Sequence, residues 1–186
     1  MRKLVEATFV SLDGVIEAPE RWAMPFFGGA KDHFLAELNR FDALLLGRAT
    51  YEKFAATWSQ IKGDPYFDKI NSLPKFVASN TLKDTTWNAT LLPGDTAEAV
   101  RRLKMQPGKD IVKYGTGPFD RTLIEHGLID EFHLSIFPIT VGAGRRLFED
   151  VGSTIPKLKL TETKALDGGV VVLTYLPESQ VERARG

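Results

Sequence analysis

IVKYGTGPFDRTLIEHG, residues 111–127, holds a strand, a tight turn and a helix in one run. Ile111 to Tyr114 is a short strand. It runs into Gly115-Thr116-Gly117, where glycine lets the backbone turn sharply and come close to a ligand. Pro118 suits the first position of a helix, which needs no N–H there. That helix buries Phe119 and Leu123 and ends near Gly127.

The same grammar recurs on both sides. ALLLG, Ala43 to Gly47, is an all-apolar run of the kind buried on both faces of a parallel sheet, and a helix begins near Thr50 with Tyr51, Phe54 and Ala55. KFVAS, Lys75 to Ser79, is another strand. Asp95 and Glu98 form a capping signal before a helix with Val100 and Leu103. Val5, Ala7 and Phe9 alternate with Leu4, Glu6 and Thr8 and predict a first strand with one apolar face. Phe34, Leu35, Leu38 and Phe41 recur at helical spacing, and Phe132, Leu134 and Ile136 alternate as a strand. KLKLTET, the turn Asp167-Gly168-Gly169 and VVVLTYL close the chain as an antiparallel hairpin. The class is α/β, with a mostly parallel mixed sheet and an antiparallel edge. Residues 1–177 read as one domain and 178–186 as a polar tail.

Composition excludes several chemistries. The 186 residues carry 24 basic and 24 acidic side chains, so net charge gives no footprint for nucleic acid. Cysteine is absent, which removes disulfides, thiolate metal sites and a cysteine nucleophile. His33, His126 and His133 are scattered and read as surface or structural residues; no metal site is expected. Glu6 and Thr8 interrupt the N-terminal apolar run too early for a signal peptide, and no window suits a membrane helix. A cytoplasmic protein without membrane or nucleic-acid partners is expected.

Three strand-to-helix junctions then stand out: Gly47-Arg48-Ala49-Thr50, Ser79-Asn80-Thr81 and Gly115-Thr116-Gly117-Pro118. Helix N-termini favour phosphate, and open α/β sheets bind ligands outside the carboxyl ends of their strands. Arg48 can hold a phosphate through two hydrogen bonds, and Ser79 and Asn80 can serve a second. Equally, these residues can serve the turns alone. No Walker loop or G-x-G-x-x-G is present. The segment SLDGVIEAPERWAMPFFGG predicts a long loop, whose Trp22, Met24, Phe26 and Phe27 either cover the core or form a mobile wall over a flat ring. Asp32 and Glu37 lie on the first helix; Asp32 can face a pocket, and Glu37 reads as solvated.

Together these residues resemble the dihydrofolate reductase superfamily, above all the reductase domain of bacterial riboflavin-biosynthesis deaminase-reductases. SLDG (Ser11 to Gly14), Trp22 to Phe26, Gly47 to Glu52, Gly115 to Gly117 and IDEFHLSIFPITVGAGRRLF (Ile129 to Phe148) carry the resemblance. It implies a three-layer fold with about eight strands, NADPH as hydride donor and a homodimer. By position, it places Phe9, Ile16 and Trp22 near the nicotinamide, and Gly47, Arg48 and Thr50 at phosphates. Ser79 and Asn80 fall by the adenosine 2′-phosphate, and Gly115, Thr116, Gly117 and Phe119 at the pyrophosphate. Met24 and Phe26 fall on the substrate side. Lys113-Tyr114 stands where riboflavin-type reductases carry a substrate-facing acid, and Asp32 stands near the pterin-protonating carboxylate of dihydrofolate reductases. The cysteine motif of a zinc deaminase half is missing. The implied substrate is the ribosylaminopyrimidine of riboflavin synthesis, with dihydrofolate or another pterin as the alternative. A protein that binds NADPH without turnover is the rival of another class.

Overall fold

A computed structural model describes residues 1–149 and 157–178. The chain forms β1 (Leu4–Ser11), α1 (Met24–Leu38), β2 (Phe41–Gly47), α2 (Arg48–Thr57), α3 (Pro65–Ser72), β3 (Lys75–Ala78) and β4 (Ala89–Leu91). It continues with α4 (Thr96–Met105), β5 (Asp110–Tyr114), α5 (Pro118–Glu125), β6 (Glu131–Phe137), β7 (Leu158–Ala165) and β8 (Val171–Pro177). The eight strands make one sheet in the order β4-β3-β2-β5-β1-β6-β8-β7. β1 to β6 run parallel, and β8 and β7 turn back antiparallel. The carboxyl ends of β1, β2, β3 and β5 therefore share one edge.

Two cores sandwich the sheet. On one face Ala30, Phe34 and Leu38 of α1, Tyr51 of α2 and Tyr66 and Ile70 of α3 pack on Val5, Leu44, Leu46 and Val112. On the other, Ala97, Val100 and Leu103 of α4 and Leu123 of α5 pack on Leu4, Leu45 and Ile111. Caps set the helix starts. Asp95 accepts from the Glu98 N–H (2.9 Å), and Asp64 accepts from the Tyr66 N–H (3.0 Å) ahead of Pro65.

Several sequence expectations change. β1 is not one-faced: Glu6 and Thr8 are as buried as Leu4 and Val5, because β1 lies between β5 and β6 with helices on both sides. In β6, likewise, Glu131, His133 and Ser135 are buried along with Phe132 and Leu134. α2 starts at Arg48 with Gly47 as its N-cap, so Thr50 lies inside the first turn. Phe41 opens β2 instead of closing α1. α3 and β4 are additional to the elements read from sequence. The polar tail lies outside the described residues apart from Glu178.

The largest change concerns residues 24–29. MPFFGG is the first turn and a half of α1, not loop. Propensity disfavours Gly28-Gly29 in a helix, but packing overrides it. A Cβ on Gly29 would lie 3.0 Å from the Asp167 carbonyl oxygen, so glycine lets α1 dock on the β7–β8 turn. Farther along α1, Glu37 accepts from His133 (3.3 Å), whose other ring nitrogen meets Glu131 at 3.1 Å. Glu37 is therefore a half-buried anchor and not a solvated residue.

Burial alone would lower the His133 pKa, but the hydrogen bonds and charges of Glu131 and Glu37 outweigh it and raise it. Hydrogen bonding to His133 pulls Glu37 and Glu131 down to about 2. Burial and Lys164 lower His33.

Gly28→Ala, with no neighbour within 4 Å of the new Cβ, should stabilise by roughly 0.5–1 kcal/mol. Gly29→Val should destabilise by about 1–3 kcal/mol. Thermal melts of the pair separate helix propensity from docking. In an NMR titration His133 should ionise above the ordinary histidine value and His33 below it. With a raised folded pKa, the stabilisation from His133 is complete below about pH 6.5 and disappears as pH rises through its folded value. Coincident titrations would remove the Glu–His–Glu brace from the account.

Candidate active site

The three junctions meet at the carboxyl edge. Gly115 has φ +79°, and a Cβ there would lie 2.7 Å from Cγ2 and 2.9 Å from Cβ of Thr50. The β5–α5 turn is thus pressed against the first turn of α2, and only glycine fits. Gly47 faces Phe119, with a notional Cβ 3.7 Å from that ring. Arg48, half-exposed, pairs with Glu52 at 2.8 Å and donates to the Thr81 hydroxyl. Ser79 Oγ accepts from the N–H groups of Thr81 (3.2 Å) and Leu82 (3.0 Å). Arg48 and the Ser79–Thr81 turn therefore form one patch, with Asn80 exposed beside it. α2 has no side-chain cap and no acid in its first turn, so its N-terminus favours an anion.

A fourth segment joins them. Asp13 accepts from the Val141 (3.0 Å) and Gly142 (2.8 Å) N–H groups and from Ser11 Oγ (2.6 Å). These hydrogen bonds hold its carboxyl well below the usual carboxylate range. Ile16 donates to the Arg145 carbonyl (2.9 Å), and the Arg145 N–H donates to Glu17 (2.9 Å). This clasp between the 11–17 and 139–147 segments carries the Arg145 guanidinium to the turn. A Cβ on Gly117 would lie 3.0 Å from its Nη1.

Beneath the turn lies a buried ion triad. Lys113 is fully buried and pairs with Glu6 (2.9 Å) and with Asp120. It also donates to the Gly115 carbonyl at 2.6 Å. Asp120 accepts from the Gly117 N–H (2.7 Å), and Thr116 Oγ1 bonds to Glu6 (3.1 Å) and meets Thr8 Oγ1 at 2.9 Å. Every residue of the Gly115–Gly117 turn is tied to this cluster. Burial, followed by the neighbouring Asp120 carboxylate, pushes Glu6 well above its usual value, against the pull of Lys113. Burial alone would lower Lys113; the two carboxylates raise it instead.

On the opposite, α1 face the central strands open. Ala7, Phe9 and Tyr114 are partly exposed although β1 and β5 are central, and Ala7 is the register partner of Tyr114. Aromatic side chains frame the gap. Phe9 lies 4.9 Å from Phe34, Phe27 stacks on Phe34 at 5.4 Å, and Tyr66 meets Phe27 edge-on at 5.4 Å. A separate polar pocket between α1 and the β6–β8–β7 face, lined by His33, Glu37, His133 and Lys164, lies towards the start of β6, away from these turns.

The 2–172 span matches the model of the RibD C-terminal domain. The chain belongs to the RibD C-terminal domain family. The Bacillus subtilis protein YyaP, itself uncharacterized, is 34% identical, with 94% of each chain covered. A Shewanella sp. PV-4 protein assigned to riboflavin biosynthesis superposes with a TM-score of 0.75 at 23% identity, covering 94% of this chain and 98% of that one. Enterococcus faecalis dihydrofolate reductase, solved with NADP(H), gives 0.59 at 15% identity over 94% and 96%. The RibD and dihydrofolate reductase fold is thus the fold of this chain.

Within this family member the structure brings together Gly47, Arg48, Thr50, Gly115, Thr116, Gly117 and Phe119, with Ser79 and Asn80 adjoining through Arg48. Other expected positions change. Lys113 cannot face a substrate, because it is wholly buried on the α5 side. Asp32 is exposed: it lies about 200° around the helix from both Ala30 and Phe34, which point inward. Trp22 is core, its indole N–H donating to the Glu17 carbonyl (2.8 Å) and its ring edge-on to Phe137. Phe26 also turns to Phe137, and Met24 is exposed at the start of α1. Ile16 is buried inside the clasp. Of the Lys113-Tyr114 pair it is Tyr114 that faces the opening, whereas Arg145 and Tyr66 are not candidate residues in the sequence reading. Arg145 follows a glycine-rich run, G-A-G-R-R, and this was the one local signal for it.

The triad has a signature in the pH dependence of stability. A carboxyl raised in the folded state contributes fully below its unfolded value, near 4.5, and the contribution is lost as pH rises through the folded value. Urea unfolding of Glu6→Gln should therefore show a flatter fall in stability from pH 5 to pH 8 than wild type. Asp120→Ala should lose about 3–5 kcal/mol, because it breaks a buried pair and frees the Gly117 N–H. An unchanged slope in Glu6→Gln would show that another group titrates.

Proposed function

We propose that the chain is an NADPH-dependent reductase of a small heterocycle, with 5-amino-6-(5-phosphoribosylamino)uracil as first substrate. One observation carries the cofactor half: the Gly115–Gly117 turn, whose Gly115 is pressed on Thr50 of the first turn of α2, has the Arg145 guanidinium at Gly117, while Arg48 at the start of α2 reaches the Ser79–Thr81 turn beside an aromatic-framed opening. A dinucleotide fits those features in order. Thr50, Gly115, Thr116 and Phe119 would hold the pyrophosphate, with Arg145 at its rim. Arg48, Ser79 and Asn80 would hold the adenosine 2′-phosphate. The nicotinamide would rest over Ala7 and Phe9. When bound, NADPH supplies a hydride; the protein supplies orientation and exclusion of water.

Family membership and the NADP(H) complex of the E. faecalis enzyme support this reading. A pterin is the second substrate to test, on the strength of the same fold. Among the described residues no helix is long and apolar enough to cross a membrane. We also infer a homodimer. β7 is an edge strand exposed along nearly its whole length, a surface that proteins commonly cover.

Fluorescence titration with NADPH and NADH, read by energy transfer from tryptophan, tests the cofactor half. NADPH should saturate and bind more tightly than NADH. Arg48→Ala should weaken NADPH by about tenfold or more, the worth of a charge-assisted phosphate contact, and leave NADH within about twofold. Binding of neither nucleotide would overturn the reductase reading.

A further inference from the structure

The opening at Ala7, Phe9 and Tyr114 needs a polar group if chemistry occurs there, and α1 does not provide it. Phe27, Ala30 and Phe34 point inward from α1, and Asp32 points to solvent. The polar atoms come from two tyrosines instead. Tyr66, in the first turn of α3, donates its hydroxyl hydrogen to the Tyr114 oxygen at 3.3 Å. Tyr114 accepts that bond, and among the described residues nothing accepts the hydrogen of its own hydroxyl. A partly buried hydroxyl with a free donor, beside a partly exposed alanine in the centre of a sheet, is poised for a ligand acceptor.

Resting on the reductase reading above, the geometry points to Tyr114 as the proton donor to substrate and Tyr66 as the residue that positions it. The site then takes a flat ring compound whose reducible carbon is double-bonded to nitrogen or oxygen. That carbon receives a hydride, two electrons and one proton, from the reduced nicotinamide, which is thereby oxidised. The adjoining nitrogen or oxygen, gaining negative charge as the π bond breaks, takes the Tyr114 proton. The Tyr114 phenolate is held by the Tyr66 O–H until water returns a proton, so the sum is substrate, reduced cofactor and one solvent proton going to reduced substrate and oxidised cofactor.

The roles of the two hydroxyls are not interchangeable. Burial raises both, to about 12 for Tyr114; donating to its neighbour raises Tyr66 as well, whereas accepting that bond lowers Tyr114. The bond from Tyr66 thus favours the phenolate of Tyr114. A donor of this acidity stays protonated through neutral pH and gives its proton only to an atom made strongly basic by hydride arrival.

The experiment uses wild type, Tyr114→Phe and Tyr66→Phe, each with NADPH and two probe substrates, 5-amino-6-(5-phosphoribosylamino)uracil and dihydrofolate. Tyr114→Phe should lower kcat by about 10²–10⁴-fold, the usual worth of a general acid, with KM and NADPH affinity within about tenfold and twofold. Tyr66→Phe should lower kcat less, with the same unchanged nucleotide affinity. Wild-type kcat should show no falling limb between pH 6 and pH 9, whereas a carboxylic acid donor would produce one. Retained kcat in Tyr114→Phe, or such a limb in wild type, overturns the assignment. Wild type that binds NADPH but reduces neither probe overturns the substrate class and leaves the cofactor reading standing. Wild type that binds no NADPH defeats the parent reading itself.

Discussion

An ammonium group buried without partners would cost more than most domains have in net stability, and Lys113 is fully buried. Its pairing with Glu6 and Asp120 is therefore a condition for the fold, and it binds three elements at once: β1, β5 and α5. Through the Gly115 carbonyl, Thr116 hydroxyl and Gly117 N–H, the same cluster fixes the turn that faces the proposed pyrophosphate. Two carboxylates against one ammonium leave an excess negative charge if all ionise. Burial and the neighbouring Asp120 push the Glu6 pKa up, the direction that relieves this excess. The direction matters, because a net negative charge under the turn would repel phosphate.

Much of this architecture was legible in the sequence because local and global signals agree. The Asp95 cap, the strand-glycine-proline-helix run at 111–127 and the Asp-Gly hairpin each name their own structure. The misreadings have one physical source: tertiary packing overrides local preference. Gly28-Gly29 reads as loop until the β7–β8 turn is known to need the space beside Gly29. Glu6 and Thr8 read as a solvent face until β5 and α5 are known to cover them. α3 is the exception, because its signal is local: Asp64-Pro65 is a cap followed by a first-turn proline.

At the site the division is similar. Glycines and Arg48 were legible because a junction announces itself in a few consecutive residues. Arg145 reaches the turn only through the clasp that Asp13 makes with Val141 and Gly142, across more than a hundred residues of chain. Tyr66 and Tyr114 meet only because α3 packs over the end of β5. Trp22 and Phe26 were misplaced for the opposite reason: aromatic residues in an unperiodic stretch carry no sign of which way they face, and here Phe137 draws both inward.

The two functions of β5 depend on one alternation. Lys113 points to the α5 side and Tyr114 to the α1 side, with Glu6 and Ala7 as their register partners on β1. A slip of one residue would put an ammonium into the aromatic frame and a phenol against two carboxylates. Both outcomes are costly, so the triad that supports the turn also dictates which face Tyr114 presents. The hydroxyl that we assign to proton transfer is therefore oriented by charges on the opposite side of the sheet, which it never touches. Once that register is set, the next residue along, Gly115, is held where Thr50 admits no side chain, and the proposed phosphate turn and the proposed proton donor are kept one residue apart.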